Sequence, residues 1–252
     1  LRPLEGKTAI VTGAAGGIGH LLSAALTNAG ARVVGVDRVQ PPFPDRNFIV
    51  GDLGSQNSLD ELAERLADEQ PAILVNLAGI QYFGPLSQQP TDNLWSGYVV
   101  NLIAPAFLAR SVIPGMQERG TGQIVNIGSV FGQIPFAHFA SYSSAKAGLR
   151  ALSEALRREL SGSGVSVTHV APRAVRTPLN SSKVMEFARA TKMTMDEPEA
   201  VVAKIVKAIL ARTPQLVIGF PESLFVHLNA LAPRLIDRAL AGNDRKAAAL
   251  FR

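Results

Sequence analysis

Cysteine is absent from the 252 residues, which excludes disulfides, thiolate catalysis and cysteine-ligated zinc. A chain without thiols fits a reducing compartment, and the expected location is the cytoplasm. Also missing is any uninterrupted apolar run near the roughly 18 residues that a membrane span needs. The opening stretch "LRPLEGKTAIV" lacks the pattern of a signal peptide, because its short apolar run leads straight into a glycine turn. Basic residues outnumber acidic ones, giving a net charge of +5, yet they nowhere form a block. That scatter argues against a nucleic-acid-binding tail and for a mild positive field that attracts phosphate-bearing ligands. His20, His169 and His227 have no metal-like spacing, so no catalytic metal is expected.

What is present is apolar and regularly punctuated. Hydrophobic residues make up 47% and charged ones 18%, a balance that describes a packed globular chain of a length one α/β domain can reach. Seven short apolar runs read as strands: "KTAIVT", "ARVVGVD", "NFIVGD", "PAILVNLAG", "GQIVNIGS", "GVSVTHVAP" and "QLVIGF". Helical periodicity lies between them, at Ile18 to Ala29, at Leu59 to Leu66, across residues 92–119 with bends expected at Pro105 and Pro114, and from Tyr142 to Leu160. Such alternation predicts a parallel sheet covered by helices on both faces, in one domain spanning 1–252. The link "RVQPPFPDR" holds three prolines in nine residues and has no room for a crossover helix.

Between the first strand and first helix stands "TGAAGGIG", with Gly13, Gly17 and Gly19 spaced G-x-x-x-G-x-G. Glycines at a helix N-terminus let a pyrophosphate approach the backbone N–H groups and the positive end of the helix dipole. The second strand ends in Asp37, whose carboxylate suits both ribose hydroxyls of an adenosine and repels a 2′-phosphate. This pair of features favours NAD over NADP, while the adjacent Arg38 leaves NADP open as the lesser alternative.

With these residues in view, the chain resembles the short-chain dehydrogenase/reductase family over roughly residues 7–178. The resemblance rests on an ordered set: "TGAAGGIG" at 12–19, Asp37, "GDL" at 51–53, "NLAG" at 76–79, Asn101, Ser129, "YSSAK" at 142–146 and "APRAVRT" at 171–177. It implies a Rossmann fold with a doubly wound seven-stranded parallel sheet. For the cofactor it implies contacts from Gly13, Ala15, Gly17, Ile18 and Gly19, and from Asp37 and Arg38. Asp52 and Leu53 would flank the adenine. Asn76, Ala78 and Gly79 would form the cleft floor, and Pro172 and Thr177 would lie beside the nicotinamide. Two positions depart from the family pattern: Leu77 replaces the commoner asparagine, and Arg173 stands where glycine is usual. Arg173 either offers a cation to an acidic or phosphorylated substrate or points to solvent.

Tyr142 and Lys146 are four apart on a helix and so share a face. An ammonium and an oxidised nicotinamide beside a phenol both favour phenolate, moving it from a pKa near 10 toward the working range, which makes Tyr142 the acid/base. The resemblance adds Ser129 as the hydroxyl that orients the substrate oxygen, Asn101 as the holder of a water that drains the proton, and Lys146 as a contact to the nicotinamide ribose.

Gln81, Tyr82, Phe131, Phe136, His138 and Phe139 are the expected substrate-side residues, an aromatic-rich group suited to an apolar alcohol. Residues 180–200 match the family's variable lid. The tail from 220 to 252 mixes leucines with Arg234, Arg238, Arg245 and Lys246. It is expected first to pack on the core or on a neighbouring subunit, and second to touch a membrane surface. The overall expectation is an NAD(H)-dependent oxidoreductase of secondary alcohols and ketones, forming a homodimer or homotetramer through helices 92–119 and 142–160. The alternatives are an NADPH-dependent reductase of carrier- or CoA-bound ketoacyl groups and, in another class, a non-catalytic dinucleotide sensor.

Overall fold

Each of the seven apolar runs becomes a strand in the computed structural model, which describes residues 2–41 and 47–251. In chain order the elements are β1 (Thr8–Thr12), α1 (Gly19–Asn28), β2 (Arg32–Asp37), β3 (Phe48–Val50), α2 (Gln56–Asp68), β4 (Ile73–Asn76), α3 (Thr91–Tyr98) and α4 (Ala104–Glu118). They continue with β5 (Gly122–Ile127), α5 (Ala140–Glu159), β6 (Val165–Pro172), α6 (Ser182–Thr191), α7 (Pro198–Leu210), β7 (Gln215–Ile218), α8 (Glu222–Leu231) and α9 (Pro233–Ala249). In the proline-rich link 38–46, residues 42–46 lie outside the described residues.

All pairings in the sheet are parallel, in the order β3-β2-β1-β4-β5-β6-β7. Alternation along each strand feeds two cores. Ile10, Val34, Leu74 and Ile124 pack under α2 and α4, whereas Ala9, Val11, Val75 and Val125 pack under α1 and α7. Burial on both faces explains why the strands read as continuous apolar runs rather than as alternating ones. Strand order reverses between β1 and β4, so the loops that follow these two strands diverge and leave a crevice at the carboxyl end of the sheet.

The long helical stretch is continuous over Thr91–Glu118 but changes pitch. Residues Val99–Ile103 form a π-turn, in which the Ala104 N–H donates to the Val99 carbonyl. Pro105 accounts for it: a proline ring in an ordinary α-helix collides with the carbonyl four residues earlier, here that of Asn101, and the wider turn relieves the clash. Pro114, by contrast, sits inside α4 without ending it. This helix is long and apolar enough to cross a membrane, yet Leu108, Ala109, Val112 and Met116 are core residues packed with α2, which accounts for its composition.

The tail forms α8 and α9. Ile236 and Leu240 pack on Val130 and Ile134, and Ala247, Leu250 and Phe251 join the aromatic cluster of Phe83, Phe139 and Phe187. The expectation of packing on the core therefore holds for α9, while α8 has no buried residue.

Candidate active site

The crevice is fastened where β1 and β4 part. Thr12 Oγ1 accepts hydrogen bonds from the N–H groups of Leu77 (3.1 Å) and Ala78 (3.2 Å) and donates to the Val75 carbonyl (3.4 Å). Beside this clamp Gly13 adopts φ +71°, and a Cβ there would lie 2.8 Å from the Ala78 Cα, so no larger residue fits. The Ala15 N–H donates to Asp37 Oδ2 at 3.0 Å and the Val39 N–H to Oδ1 at 3.3 Å. These bonds fix the carboxylate at the strand end while leaving it lone pairs for further donors. Arg38 lies next to it on the cleft wall, with no hydrogen bond or ion pair among the described residues.

From this end a cleft of about 860 Å³ runs to Tyr142. It is lined by Gly13, Ala15, Gly17, Ile18, Gly19, Asp37, Arg38, Asp52, Leu53, Ala78 and Gly79, and farther along by Gln81, Ser129, Phe131, Tyr142, Lys146, Pro172, Arg173 and Thr177. The fold thus brings residues from the ends of six strands, β1 to β6, and from α1 and α5 to one trough. Phe139, Val184, Phe187, Met193 and Met195 make its far wall apolar.

At that far end the groups are desolvated. Tyr142 and Lys146 are buried on one face of α5, and Lys146 Nζ lies 5.9 Å from the centre of the Tyr142 ring and donates to the Ile127 carbonyl at 2.9 Å. Burial pushes the phenol up to about 12, against a lowering by its hydrogen bond with Ser129, and burial brings the Lys146 ammonium down to about 8. In the protein alone the phenol thus lies above its ordinary value, because removing water penalises a phenolate more than the Ser129 hydrogen bond favours it. Ser129 caps the short 3₁₀ turn Val130–Gly132, its Oγ accepting from the Phe131 N–H at 3.1 Å.

Asn101 lies on the π-turn, behind the main cleft. Its Nδ2 donates to the carbonyls of Ile80 and Gly97, both at 2.8 Å, while Oδ1 is buried without a hydrogen-bond partner among the described residues. A second cavity of about 10 Å³, the size of one water, touches both Asn101 and Tyr142. A Cβ at Gly79 would come within 2.9 Å of Asn101 Oδ1 and 3.6 Å of Lys146 Nζ, so glycine keeps open the space between these two groups.

Asn76, Tyr82, Phe136 and His138 fall outside the lining of the main cleft, and Arg173 lines it already paired. Asn76 is buried beneath the cleft, donating to Asn126 Oδ1 at 2.8 Å, and does not line it. Phe136 stacks on the outer side of Phe131, at 4.5 Å. His138, at φ +66°, turns away to stack on Phe251 at 5.2 Å. Arg173 lines the cleft but is neither solvent-directed nor available to a substrate anion. Its guanidinium binds Asp196 at 2.7 Å, Glu222 at 3.2 Å and the Phe220 carbonyl at 3.1 Å.

The sequence pattern of the family described as short chain dehydrogenase matches residues 7–186. The chain belongs to the short chain dehydrogenase family. Ketoacyl reductase HetN of Nostoc sp. is 31% identical over 93% of this chain and 88% of its own. Among solved structures, 4-hydroxyisoleucine dehydrogenase complexed with NADH has a TM-score of 0.75 at 27% identity, covering 84% of this chain and 96% of its own. A Beutenbergia cavernae protein described as an NAD(P) dependent gluconate 5-dehydrogenase, with NADP bound at low occupancy, reaches 0.75 at 28% identity, covering 85% and 95%. As a short chain dehydrogenase the protein is an oxidoreductase working between alcohol and carbonyl. Its cleft fits a nicotinamide dinucleotide, with a glycine cradle at one end and desolvated donors at the other.

Several working parts of this short chain dehydrogenase have no strong signal in the sequence. The Thr12 clamp is one; a hydroxyl ending a strand before a glycine turn is its only trace. Another is the buried chain from Asn76 through Asn126 to Ser153, which joins β4, β5 and α5 under the floor at 2.8 and 2.9 Å. Val184 and Phe187 line the cleft from α6, within the segment expected as a lid, but nothing in their spacing marks them for it.

Proposed function

We propose that the protein interconverts a small-to-medium, largely apolar secondary alcohol and its ketone with NAD(H). The observation that carries the reaction is the convergence of Ser129, Tyr142 and Lys146, all less than a tenth exposed, on the apolar end of the cleft. The bound nicotinamide supplies the hydride acceptor or donor. Ser129 Oγ orients the substrate oxygen, and Tyr142 Oη takes its proton during oxidation and returns it during reduction. The Lys146 charge, together with the positive oxidised ring, offsets the burial that raises the phenol. Asn101 Oδ1 holds the water that links Lys146 to solvent, which accounts for its lack of a partner among the described residues.

For the cofactor, Asp37 supports NAD: its fixed carboxylate retains acceptor capacity for ribose hydroxyls and opposes a 2′-phosphate. Substrate class follows from the wall of Phe131, Phe139, Phe187 and Met193, and from Arg173, whose charge is already satisfied by two carboxylates. The second reading, an NADP-linked ketoacyl reductase, draws on Arg38 and on the likeness to HetN, but Arg173 no longer speaks for it. A dinucleotide sensor needs none of Ser129, Tyr142 and Lys146. Assembly into dimers or tetramers is supported by Trp95 and Ile103, which stand exposed on the long helix.

Titrating NADH and NADPH by fluorescence, then screening secondary alcohols and ketoacyl thioesters with the tighter cofactor, tests these readings together. Tighter NADPH binding with turnover of thioesters alone would establish the second. Binding of cofactor without turnover of either class would establish the sensor.

A further inference from the structure

The helix α8 is held firmly yet buries no residue. On its inner side Val226 packs with Val130, Ile134 and Ile236, and Asn229 Nδ2 donates to the Gln133 carbonyl at 2.8 Å. Glu222, at its start, is bound to Arg173. On the outer side Leu224, Leu228 and Leu231 follow at intervals of four and three residues, the spacing of one face of α8, while Phe220 stands just before the helix and Leu235 in the first turn of α9. Phe220 is 77% exposed, Leu224 60%, Leu231 86% and Leu235 53%. Scattered exposed leucines need no explanation, but three on one face of a fixed helix, with an exposed phenylalanine before it and a leucine after it, do.

The exposed charge of α8 and α9 is mostly basic. The exposed ionised groups of α8 and α9 are Arg234, Arg238, Arg245 and Lys246, against a single exposed acid, Asp237. Glu222 shares Arg173 with Asp196, and Asp244 is partly buried on α9. Arg234 and Arg238 share the first turns of α9 with Leu235. An apolar helical face edged by arginines matches the interface of a bilayer carrying anionic lipid, where leucines enter the acyl boundary and cations meet the headgroups. A second protein copy fits less well. Stable interfaces take about 20–30 residues a side, whereas this strip is one helix face and one flanking turn.

We propose that the protein docks peripherally on anionic membranes through the outer face of α8 and the arginines of α9. The test is flotation of the full chain with vesicles of phosphatidylcholine alone or with about one third phosphatidylserine, at low and high salt. Recovery is expected with the anionic vesicles, several-fold reduced by high salt and by L224S/L231S or R234E/R238E. These side chains are exposed, so unchanged NADH binding by each variant shows that the fold is kept. Absence of recovery overturns the proposal, as does recovery unaffected by either pair of substitutions. Sedimentation equilibrium supplies the other contrary outcome, a dimer that L224S/L231S splits without any lipid binding, which would assign the strip to a second copy.

Discussion

At the glycine-turn end of the cleft, Asp37 and Asp52 stand beside solvent and act through backbone N–H groups. At the tyrosine end, Asn101, Ser129, Tyr142 and Lys146 are each less than a tenth exposed. The first end gains affinity by shape and accepted hydrogen bonds, in a setting where water screens charge. In the second, the environment itself sets protonation, since burial has moved Tyr142 and Lys146 in opposite directions. Changes at one end should therefore appear as cofactor affinity, and changes at the other as turnover.

The comparison breaks most plainly at Tyr142. Tyr142→Phe keeps the ring and removes the hydroxyl, so turnover should fall by about 10²–10⁴-fold, while the NADH dissociation constant measured by fluorescence stays within about twofold. An equal loss in both would mean that the two ends are not separable.

Next in size is an acid effect beneath the tyrosine end. His169 is buried on β6 with neither ring nitrogen hydrogen-bonded among the described residues, and desolvation first, then the charges of Lys146, Arg150 and Arg157, bring it down from 6.5 to about 4. Because its folded value lies below its unfolded one, the unfolded chain binds more protons between these limits. Stability is then intact above pH 6.5 and declines as pH falls toward 4, by up to about 3 kcal/mol. Denaturant midpoints across pH 7 to 4 measure this. His169→Gln should flatten the profile, and an unchanged slope would remove His169 as its source.

Gly79→Ala probes the space between Asn101 Oδ1 and Lys146 Nζ. A methyl there should lower turnover by about 10- to 100-fold through displaced geometry, with a smaller change in NADH affinity. Turnover equal to that of the unmodified enzyme would refute a water relay at that point. Smallest of the four, Asp37→Asn should weaken NADH by about 10-fold, the scale of a charged hydrogen bond, leave turnover at saturation unchanged, and narrow the preference over NADPH. Stronger NADH binding would reverse the assignment of the glycine-turn end.

Much of the first end was legible because it is local. A strand, a glycine turn, a helix start and a carboxylate closing the next strand follow within residues 8–37, and their chemistry depends on adjacency along the chain. Tyr142 and Lys146 were legible for the same reason, since four residues on a helix guarantee a shared face. The substrate side was misread where neighbours in sequence diverge in space. The left-handed backbone at His138 swings its ring onto Phe251, and Phe136 stacks behind Phe131 rather than beside it. The stretch 92–119 reads as a helix bent at Pro105 and Pro114, but its sequence does not show that Pro105 forces the π-turn that carries Asn101.

The sequence by itself determined the seven strands, the dinucleotide turn and the tyrosine–lysine pair, because each is set by periodicity, glycine sterics or helical spacing over a few residues. Only the tertiary structure decided that Arg173 is spent on Asp196 and Glu222, that Asn76 supports the floor from below, and that α8 presents its leucines outward. The physical reason is distance along the chain. Arg173 meets partners 23 and 49 residues away, and Asn76 one 50 residues away. Desolvation likewise depends on what the whole chain packs around a group, so the raised phenol of Tyr142 and the lowered ammonium of Lys146 exist only once the sheet and its helices have closed.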